Sequence, residues 1–328
     1  METDHIEELC FPQLRNKSCR KPTLPGSDGV LLSIVLSLIS VTTATLNLLV
    51  IISVSHFRQR LQKLHTPTNV LLLSLSVSDF LVGLLLMPLE IYRKVACWQN
   101  AVCSLYGFLI AHVVSASIGN IVLIAADRYV AVCDPLHYPN KITMARVKCC
   151  VCLCWISNAF YRLFFLKDEL FRPGGSNSCV GQCAYVAQPV AWFVELTLFF
   201  IVPVTVIVVL YGRVFVVAVS QARAVRSHVT AISHQLSVTR KSELKAARTL
   251  GILVVVYLTC FCPYYCYTLA EVNVTSTSYA SYLIFLFYFN SCLNPLIYAL
   301  FYPWFRKAVK VIVTLQILQP GSREANIL

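Results

Sequence analysis

Acidic side chains in long apolar stretches are the first residues of this sequence that could do chemistry. Four lie inside such stretches and a fifth follows one; they are Asp79, Glu90, Asp127, Glu195 and Glu271. An ionised carboxylate is costly in an apolar environment unless a cation or a hydrogen-bond donor compensates its charge. These acids therefore point to the binding of a cation or to a switch linked to protonation.

Asp79 lies among leucines and valines in the middle of its stretch. Asn47, Ser117, Asn290 and Asn294 lie at comparable depths in other stretches. One interpretation is a buried hydrogen-bond network that serves the structure. The other is a site for a cation such as sodium, or a proton-linked switch, and the two interpretations are compatible.

Glu195 is flanked by Val194 and Leu196, so its neighbours in the chain do not compensate its charge. A protonated amine would supply the missing cation through a charge-assisted hydrogen bond. The alternative is that Glu195 is protonated and bonds to a neighbouring helix.

Seven apolar stretches must position these side chains. The 328 residues are 57% hydrophobic and 13% charged, with a mean hydropathy of +0.69, whereas soluble domains are about a quarter charged. A membrane-spanning helix needs about 20 apolar residues. Stretches of that length run over residues 30–54, 68–92, 102–132, 147–166, 186–217, 246–269 and 279–301. The sequence predicts an all-α membrane protein, a seven-transmembrane helix bundle, and we number these stretches spans one to seven.

The chain divides into an extracellular tail at residues 1–29, a transmembrane domain at 30–302 and a cytoplasmic part at 303–328. Residues 306–315 have the period of a short amphipathic helix that lies on the inner leaflet. We therefore expect an eighth helix, followed by a mobile tail.

The basic residues predict the orientation. Lys and Arg outnumber Asp and Glu by 27 to 15, and the excess collects after spans one, three, five and seven. The residues are Arg58, Arg60, Lys63, Lys141, Arg146, Lys148, Arg213, Arg223, Arg226, Arg240, Lys241, Lys245, Arg248, Arg306, Lys307 and Lys310. The positive-inside rule places them in the cytoplasm, so we expect a multi-pass plasma-membrane protein with an extracellular N-terminus and no nucleic-acid partner. The outward sequons at Asn16 and Asn273 agree, and Asn16 is the predicted glycosylation site.

Other classes of protein have little support in the sequence. Cys149, Cys150, Cys152 and Cys154 cannot all converge on one metal ion from a helix, so we interpret them as packing residues and predict no metal centre there. No nucleophile–base pair or glycine-rich phosphate loop suggests an enzyme. No internal repeat is visible, which weakens a transporter interpretation.

Motifs in five spans together resemble those of rhodopsin-like G-protein-coupled receptors. They are Asp127-Arg128-Tyr129 in span three, Trp155 in span four, Pro203 and Tyr211 in span five, Cys260-Phe261-Cys262-Pro263 in span six, and Asn294-Pro295-Leu296-Ile297-Tyr298 in span seven. The stretch from Asn290 to Phe305, with its Asn-Ser pair before Asn-Pro and its closing Tyr-x-Trp-Phe, is similar to the signature of trace amine-associated receptors. Members of that family mostly detect volatile and water-borne amines in the nose.

The resemblance implies two disulfides on the extracellular side. One would join Cys103 to Cys183, and the other would join Cys19 to Cys179, with Cys10 as the competing partner of Cys179. Both would hold a lid over the ligand pocket.

The resemblance also implies an activation switch. At rest Arg128 would pair with Asp127 and Glu243, and in the active form Tyr211 and Tyr298 would stabilise an outward movement of span six. The implied switch residues are Asp127, Arg128, Tyr129, Glu243, Ile118, Pro203, Tyr211, Tyr257, Phe261, Asn294, Pro295 and Tyr298. Tyr257 replaces the usual Phe and Phe261 the usual Trp. The alternative for Glu243 is an exposed helix charge.

The ligand site departs from the usual amine-receptor pattern at Ile110. Aminergic receptors carry an Asp eighteen residues before the Arg of Asp-Arg-Tyr, where this chain has Ile110. Some fish members of the family place an acid on span five instead, and Glu195 matches that position, so we expect Glu195 to be the counter-ion of the ammonium group. The other residues expected around the ligand are Trp192, Val114, Tyr264, Tyr265, Thr268, Ile284, Phe287 and Tyr288.

Glu90 and Glu271 near the outer mouth could receive further ammonium groups, which would make the ligand a diamine or polyamine. The alternative for Glu90 is pairing with the adjacent Arg93 and Lys94, and outer charges are often only solvated.

The resemblance implies a partner and a signal. The partner would be a heterotrimeric G protein of the stimulatory Gs or Golf type, with a rise in cyclic AMP, and expression would be olfactory. No cofactor is expected beyond a sodium ion at Asp79. The competing interpretation is an aminergic-like or orphan class A receptor with a non-amine ligand.

Overall fold

The fold is a bundle of seven helices. The computed structural model describes residues 9–14, 18–21, 26–57, 66–171, 181, 189–227, 251–267, 269, 277–301 and 303–319. Six of its helices are long and apolar enough to cross a membrane, and a shorter apolar helix, Gly251–Tyr267, is the described part of span six. The predicted seven-transmembrane fold is therefore confirmed.

The helices run somewhat beyond most of the predicted apolar stretches. Span one is Ser27–Phe57; span two is Pro67–Leu81, a π-helical turn at Val82–Leu86, and Met87–Arg93; and span three is Asn100–Cys133. A short helix, Tyr138–Lys141, precedes span four at Met144–Phe171. Span five is Pro189–Leu196, a π-helical turn at Thr197–Ile201, and Val202–Ser227, and span seven is Thr277–Phe301.

Span two lies very close to span one at Gly83. The hydroxyl of Ser40 donates to the carbonyl of Gly83 at 2.6 Å, and a Cβ at Gly83 would lie 2.6 Å from the backbone nitrogen of Ala44. Because a backbone atom cannot move aside as a flexible side chain can, only glycine allows this approach. The contact fixes the part of span two that carries Glu90.

The main core cluster joins all seven spans. Among its buried members are Leu75, Ile118, Ile121, Tyr257 and Tyr298. The core thus lies beneath the aromatic residues expected around the ligand and holds the helices that carry them.

The cysteines of span four divide between two surfaces. Cys149, Cys150 and Cys152 are exposed on the outside of the bundle, so the interpretation that they pack against other helices is wrong. Cys154 is half-buried against Gly119 of span three. Cys149 and Cys152 point in other directions around the helix axis, whereas Cys150 lies one turn before Cys154 on a similar face and is nevertheless exposed.

A helix at Pro303–Val313 follows span seven, three residues earlier than the predicted start. Phe305 and Ala308 are buried against the bundle. Arg306 donates to the carbonyl oxygens of Ala299 and Leu300 at 3.0 and 2.8 Å, which binds acceptors left open at the end of span seven.

Candidate functional site

Aromatic rings from spans five, six and seven form a continuous cluster in the outer half of the bundle. Tyr265 stacks on Phe200 with ring centroids 4.2 Å apart, and Phe287 lies 4.1 Å from Phe261 and 5.5 Å from Tyr264. Tyr288 extends the cluster from Phe287, and Tyr257 extends it inward from Phe261 at 4.5 Å. Such rings offer apolar surface and negative faces to a cation.

The aliphatic residues expected around the ligand lie beside these rings. Val114 is buried in the cluster against which Tyr265 and Phe287 pack. Ile110 is half-buried between spans and packs against Tyr106 and Trp98, while Ile284 packs with Tyr288. A side chain that cannot pair with an ammonium group thus occupies the position of the usual acid on span three.

Glu195 forms an ion pair with Arg162 of span four. The glutamate side chain is 41% exposed and the arginine side chain 12%. Arg162 donates to Oε1 of Glu195, whereas Oε2 accepts no hydrogen bond within the described chain. Arg162, the partner of Glu195, lies over the ring of Phe199, and the next residue, Phe200, stacks on Tyr265, so the acid lies near the aromatic cluster.

Arg162 is held by groups from three helices. Its Nη2 donates to the hydroxyl of Ser115 on span three at 3.4 Å, and its guanidinium carbon lies 4.8 Å from the ring centroid of Phe199 and 5.3 Å from that of Tyr161. Its Nε is buried and has no hydrogen-bond partner among the described residues. Glu195 thus bonds to a neighbouring helix, as the alternative interpretation held. Its partner there is the cation Arg162, whereas that interpretation assumed a protonated, neutral Glu195.

Glu90 lies at the opposite side of the aromatic cluster and is only 1% exposed. Arg93 donates to both of its oxygens, at 2.6 and 2.9 Å, and Tyr106 donates to Oε2 at 2.5 Å. The hydroxyls of Tyr106 and Tyr288 are 3.4 Å apart, which connects the pair to span seven. The structure therefore favours the alternative in which Glu90 pairs with Arg93.

Asp79 is fully buried and accepts three hydrogen bonds from two other spans. Ser291 donates at 2.8 Å, Asn294 at 2.7 Å and Ser117 at 3.4 Å. Asn47 joins the network indirectly, since it donates to the carbonyl of Ser291 at 3.0 Å. A carboxylate with two serine hydroxyls beside it offers oxygen ligands of the kind that a hard cation requires, whereas Asn294 faces it through its amide nitrogen.

The amide nitrogen of Asn290 does not donate to Asp79. It is buried and has no hydrogen-bond partner among the described residues. The adjacent Ser291 reaches Asp79 instead.

At the inner end of span three, Asp127 and Arg128 form a buried ion pair at 2.6 Å. The hydroxyl of Thr68 on span two donates to Asp127 at 2.9 Å and accepts from Arg128 at 2.7 Å. Tyr138 of the short helix donates to Asp127 at 2.8 Å. The pair thus connects spans two and three with the loop that follows span three.

The same loop carries a second set of charges at Asp134. Hydrogen bonds from Lys141 at 2.8 Å and from His137 at 2.6 Å lower the pKa of Asp134 to about 2. Asp134 therefore stays ionised at neutral pH and stabilises the turn into the short helix.

Between the inner pair and the aromatic cluster lie the remaining switch residues. Ile118, Tyr257, Phe261 and Tyr298 are buried in the main core cluster, with Tyr211 packed against it. Tyr129 packs with Val132 and Val214. Pro203 follows the π-helical turn of span five, and Pro295 lies inside the helix of span seven, next to Asn294.

The end of the bundle that carries the N-terminal segment has a disulfide between Cys10 and Cys97, with Cα atoms 5.6 Å apart. Cys10 is thus not the partner of Cys179. Cys19 and Cys103 are also disulfide-bonded, but the partners expected for them, Cys179 and Cys183, lie outside the described residues.

Gly181 contacts both Trp98 and Cys10 at this end of the bundle. The backbone nitrogen of Trp98 donates to its carbonyl at 3.0 Å. Gly181 has a φ of +128°, and a Cβ there would lie 2.6 Å from that of Cys10, so only glycine fits.

Several predicted site residues cannot be placed. Asn16, Glu243, Thr268 and Glu271 lie outside the described residues, as does the side chain of Trp192.

Sequence reasoning missed the partners of the predicted acids. They are Arg162, Arg93 as a full partner of Glu90, Tyr106, Ser291, Thr68 and Tyr138. A basic residue inside an apolar span is as costly as an acid, and this signal could have identified Arg162. The disulfide between Cys10 and Cys97 could also have been predicted. The two bridges that the resemblance implies use four of the six cysteines in the outward segments, and Cys10 and Cys97 are the two that remain.

Comparisons with known proteins agree on one family. The family model described as "7 transmembrane receptor (rhodopsin family)" matches residues 46–298. Trace amine-associated receptor 13c of Danio rerio is 36% identical over 98% of this chain and 96% of its own. Trace amine-associated receptor 6 of Homo sapiens is 36% identical over 98% and 95%, and receptor 7c of Rattus norvegicus is 36% identical over 98% and 92%.

Proposed function

Because the chain belongs to the trace amine-associated receptors of the rhodopsin family, we propose that it is a receptor for a cationic amine whose ammonium group binds Glu195. Proteins of this family are multi-pass membrane receptors that act through a G protein, and they are not enzymes. The observation that carries the proposal is the half-exposed carboxylate of Glu195, with one oxygen unbonded within the described chain, on the span whose Phe200 stacks on Tyr265.

The chemistry of this position suits an ammonium group. A charge-assisted hydrogen bond to Oε2 would be strong in a water-poor pocket. The ring faces of Tyr264, Tyr265 and Phe287 would surround the cation. Ile110 offers no competing acid on span three, so the amine must be oriented from span five.

The proposal does not extend to a second ammonium group at Glu90. Arg93 and Tyr106 already occupy both carboxylate oxygens, so another cation would have to displace a guanidinium tethered three residues away. Glu271 remains a candidate for an additional ammonium group.

We place the receptor in the plasma membrane with its N-terminus outside, glycosylated at Asn16, and its G protein inside. The basic loops support this orientation, as does the disulfide between Cys10 and Cys97, which requires an oxidising compartment. Coupling to the stimulatory G protein with a rise in cyclic AMP, and olfactory expression, are proposals that follow the family.

Replacing Glu195 with glutamine tests the counter-ion. Glu195→Gln keeps the shape and removes the charge, so we expect amine potency to fall by about two to three orders of magnitude, as for loss of a charged hydrogen bond worth ~3 kcal/mol. The measurement is G-protein activation in cells that express the receptor, titrated with amines and normalised to surface level, with several G-protein subtypes.

The matched control is Thr197→Val, because Thr197 follows Glu195 within two residues on span five and is similar in shape to valine. We expect its amine potency to be unchanged. Equal potency of the wild type and Glu195→Gln would refute the counter-ion, and a wild type that no amine activates would favour a non-amine ligand, as Ile110 suggests.

We also propose a sodium ion at Asp79, held by its carboxylate with the hydroxyl oxygens of Ser117 and Ser291. Because an ion that binds only the folded receptor stabilises it, we expect the Tm of the purified wild type to rise with sodium chloride but not with choline chloride at equal ionic strength. Asp79→Asn should abolish the difference between the two salts, and a difference that persists in Asp79→Asn would place the ion elsewhere.

A further inference from the structure

Charge pairing between spans four and five restricts the kind of amine that this receptor can bind. We propose that the ligand is zwitterionic, with an ammonium group on Glu195 and an anionic group, a carboxylate, on Arg162. The ligand class would be amino acids rather than simple amines. This inference rests on the proposed amine-binding role of Glu195 and deepens it.

The first argument is the balance of charge. The ionisable acids and bases described around the aromatic cluster are Glu90 and Glu195 against Arg93, Lys94 and Arg162. Both acids already have an arginine partner. A simple ammonium ligand would add a positive charge to a site whose described side chains have no negative charge to spare, whereas a zwitterion adds none.

The second argument concerns what happens to Arg162 if an ammonium group takes Glu195. The guanidinium is tethered to span four and mostly buried, so it cannot follow the lost carboxylate into water. Displacing it would leave an uncompensated charge in an apolar environment, which is strongly unfavourable. A ligand that brings its own carboxylate replaces the lost partner in the same step.

The third argument is the unused hydrogen-bonding capacity of Arg162. A guanidinium has five N–H donors in a planar fork that matches a carboxylate. Within the described chain, one of these donors binds Glu195 and one binds Ser115. The N–H of the buried Nε binds no acceptor there. Phe199 and Tyr161 lie within 4.8 and 5.3 Å of the guanidinium carbon, so they restrict where the fork can move.

The position of the pair allows one ligand to reach both groups. Arg162 lies over the ring of Phe199, and the next residue, Phe200, stacks on Tyr265 within the aromatic cluster. Ser115, which accepts from Arg162, follows Val114, a buried residue of the core against which Tyr265 packs. An amino acid could therefore place its two charged groups on the pair and its side chain among the rings.

The test uses matched ligands that differ only in the carboxylate. Cells that express the full chain are titrated with tyrosine and tyramine, phenylalanine and phenethylamine, and lysine and cadaverine, and G-protein activation is measured. We expect the amino acid of at least one pair to be ten-fold or more as potent as its amine. β-Alanine against ethylamine tests a longer spacing between the charges.

Variants at Arg162 then assign the selectivity to the structure. Arg162→Gln should lower the potency of the amino acid at least ten-fold and leave that of the amine equal or higher, so that the preference reverses. Arg162→Lys keeps the charge and should retain part of the preference. Ser115→Ala removes one contact of the guanidinium but no charge, and it should keep the amino acid preferred.

A folding defect is controlled separately. Arg162→Gln leaves Glu195 without its cation, so surface level is measured for each variant, and the double variant Arg162→Gln/Glu195→Gln removes both charges. At normal surface level the double variant should respond to neither ligand class.

The outcomes separate the inference from the proposed function. If amines activate the wild type as well as or better than their amino acids and Arg162→Gln has no effect on that ratio, the ligand is a simple amine; the inference is then wrong while the amine receptor stands. If neither class activates the wild type, the proposed function fails and the inference fails with it.

Discussion

Replacing Glu90 with leucine is expected to remove most of the receptor from the cell surface. The substitution leaves the guanidinium of Arg93 and the hydroxyl of Tyr106 without the carboxylate that they share in a site that is 1% exposed. Breaking a buried pair from one side costs about 3–5 kcal/mol, a large part of the ~5–15 kcal/mol by which a typical domain is stable. Surface labelling and the Tm of the detergent-solubilised receptor measure the loss.

The matched control removes both charges of that pair. Glu90→Leu/Arg93→Leu leaves no uncompensated charge, so we expect it to recover much of the surface level and Tm lost in Glu90→Leu. If Glu90→Leu instead reached the surface normally and lost only its response to ligand, Glu90 would be a ligand contact, as the sequence first suggested, and its structural role would be refuted.

Glu90 also illustrates which features of the site could be predicted from the sequence and which could not. The acids stood out because each interrupts an apolar stretch, and the spans themselves depend only on local hydropathy, so the family and the seven-helix fold were predicted correctly. The partners of the acids depend on which faces of the helices meet. Hydropathy does not specify that rotation when a span is apolar on nearly every side.

The pairing of Arg162 with Glu195 could not be predicted for the same reason, and here the two partners are far apart in sequence. They are 33 residues apart in sequence and on different spans, and no local pattern joins them. Arg162 could have been singled out as an intramembrane charge, but only the packing of spans four and five shows that it pairs with the acid predicted to bind the ligand.

At Asp79 one of the hydrogen-bond partners predicted on span seven was wrong by a single position. The depth of the polar side chains was correct, yet Ser291 makes the bond for which Asn290 was a candidate. Adjacent residues on a helix are about 100° apart around its axis, and the kink-prone Pro295 in the same helix alters that orientation further. Sequence position alone therefore cannot choose between the two residues.

The second large effect is expected at the end of span three that carries Asp127. Asp127→Asn keeps the size of the side chain but removes the charge that holds Arg128 at 2.6 Å. Arg128 would then lose the carboxylate that holds it beside Thr68. In the switch that the family resemblance implies, this pair belongs to the resting state alone, so its loss would destabilise that state. A shift of ~1.4 kcal/mol between two states changes their ratio about ten-fold, so we expect a several-fold rise in basal G-protein activation per surface receptor.

Two milder variants separate the charge from the hydrogen bonds around it. Thr68→Val removes the hydroxyl that joins Asp127 and Arg128, and Tyr138→Phe removes the hydroxyl donated from the short helix. Both leave the ion pair itself intact, so their basal activity should lie between that of the wild type and Asp127→Asn. If all three variants matched the wild type, the resting position of Arg128 would depend on another contact, and the proposed pairing with Glu243 would become the interaction to test. If Tyr138→Phe alone matched Asp127→Asn, the restraint would be the attachment of the loop to span three rather than the charge of Asp127.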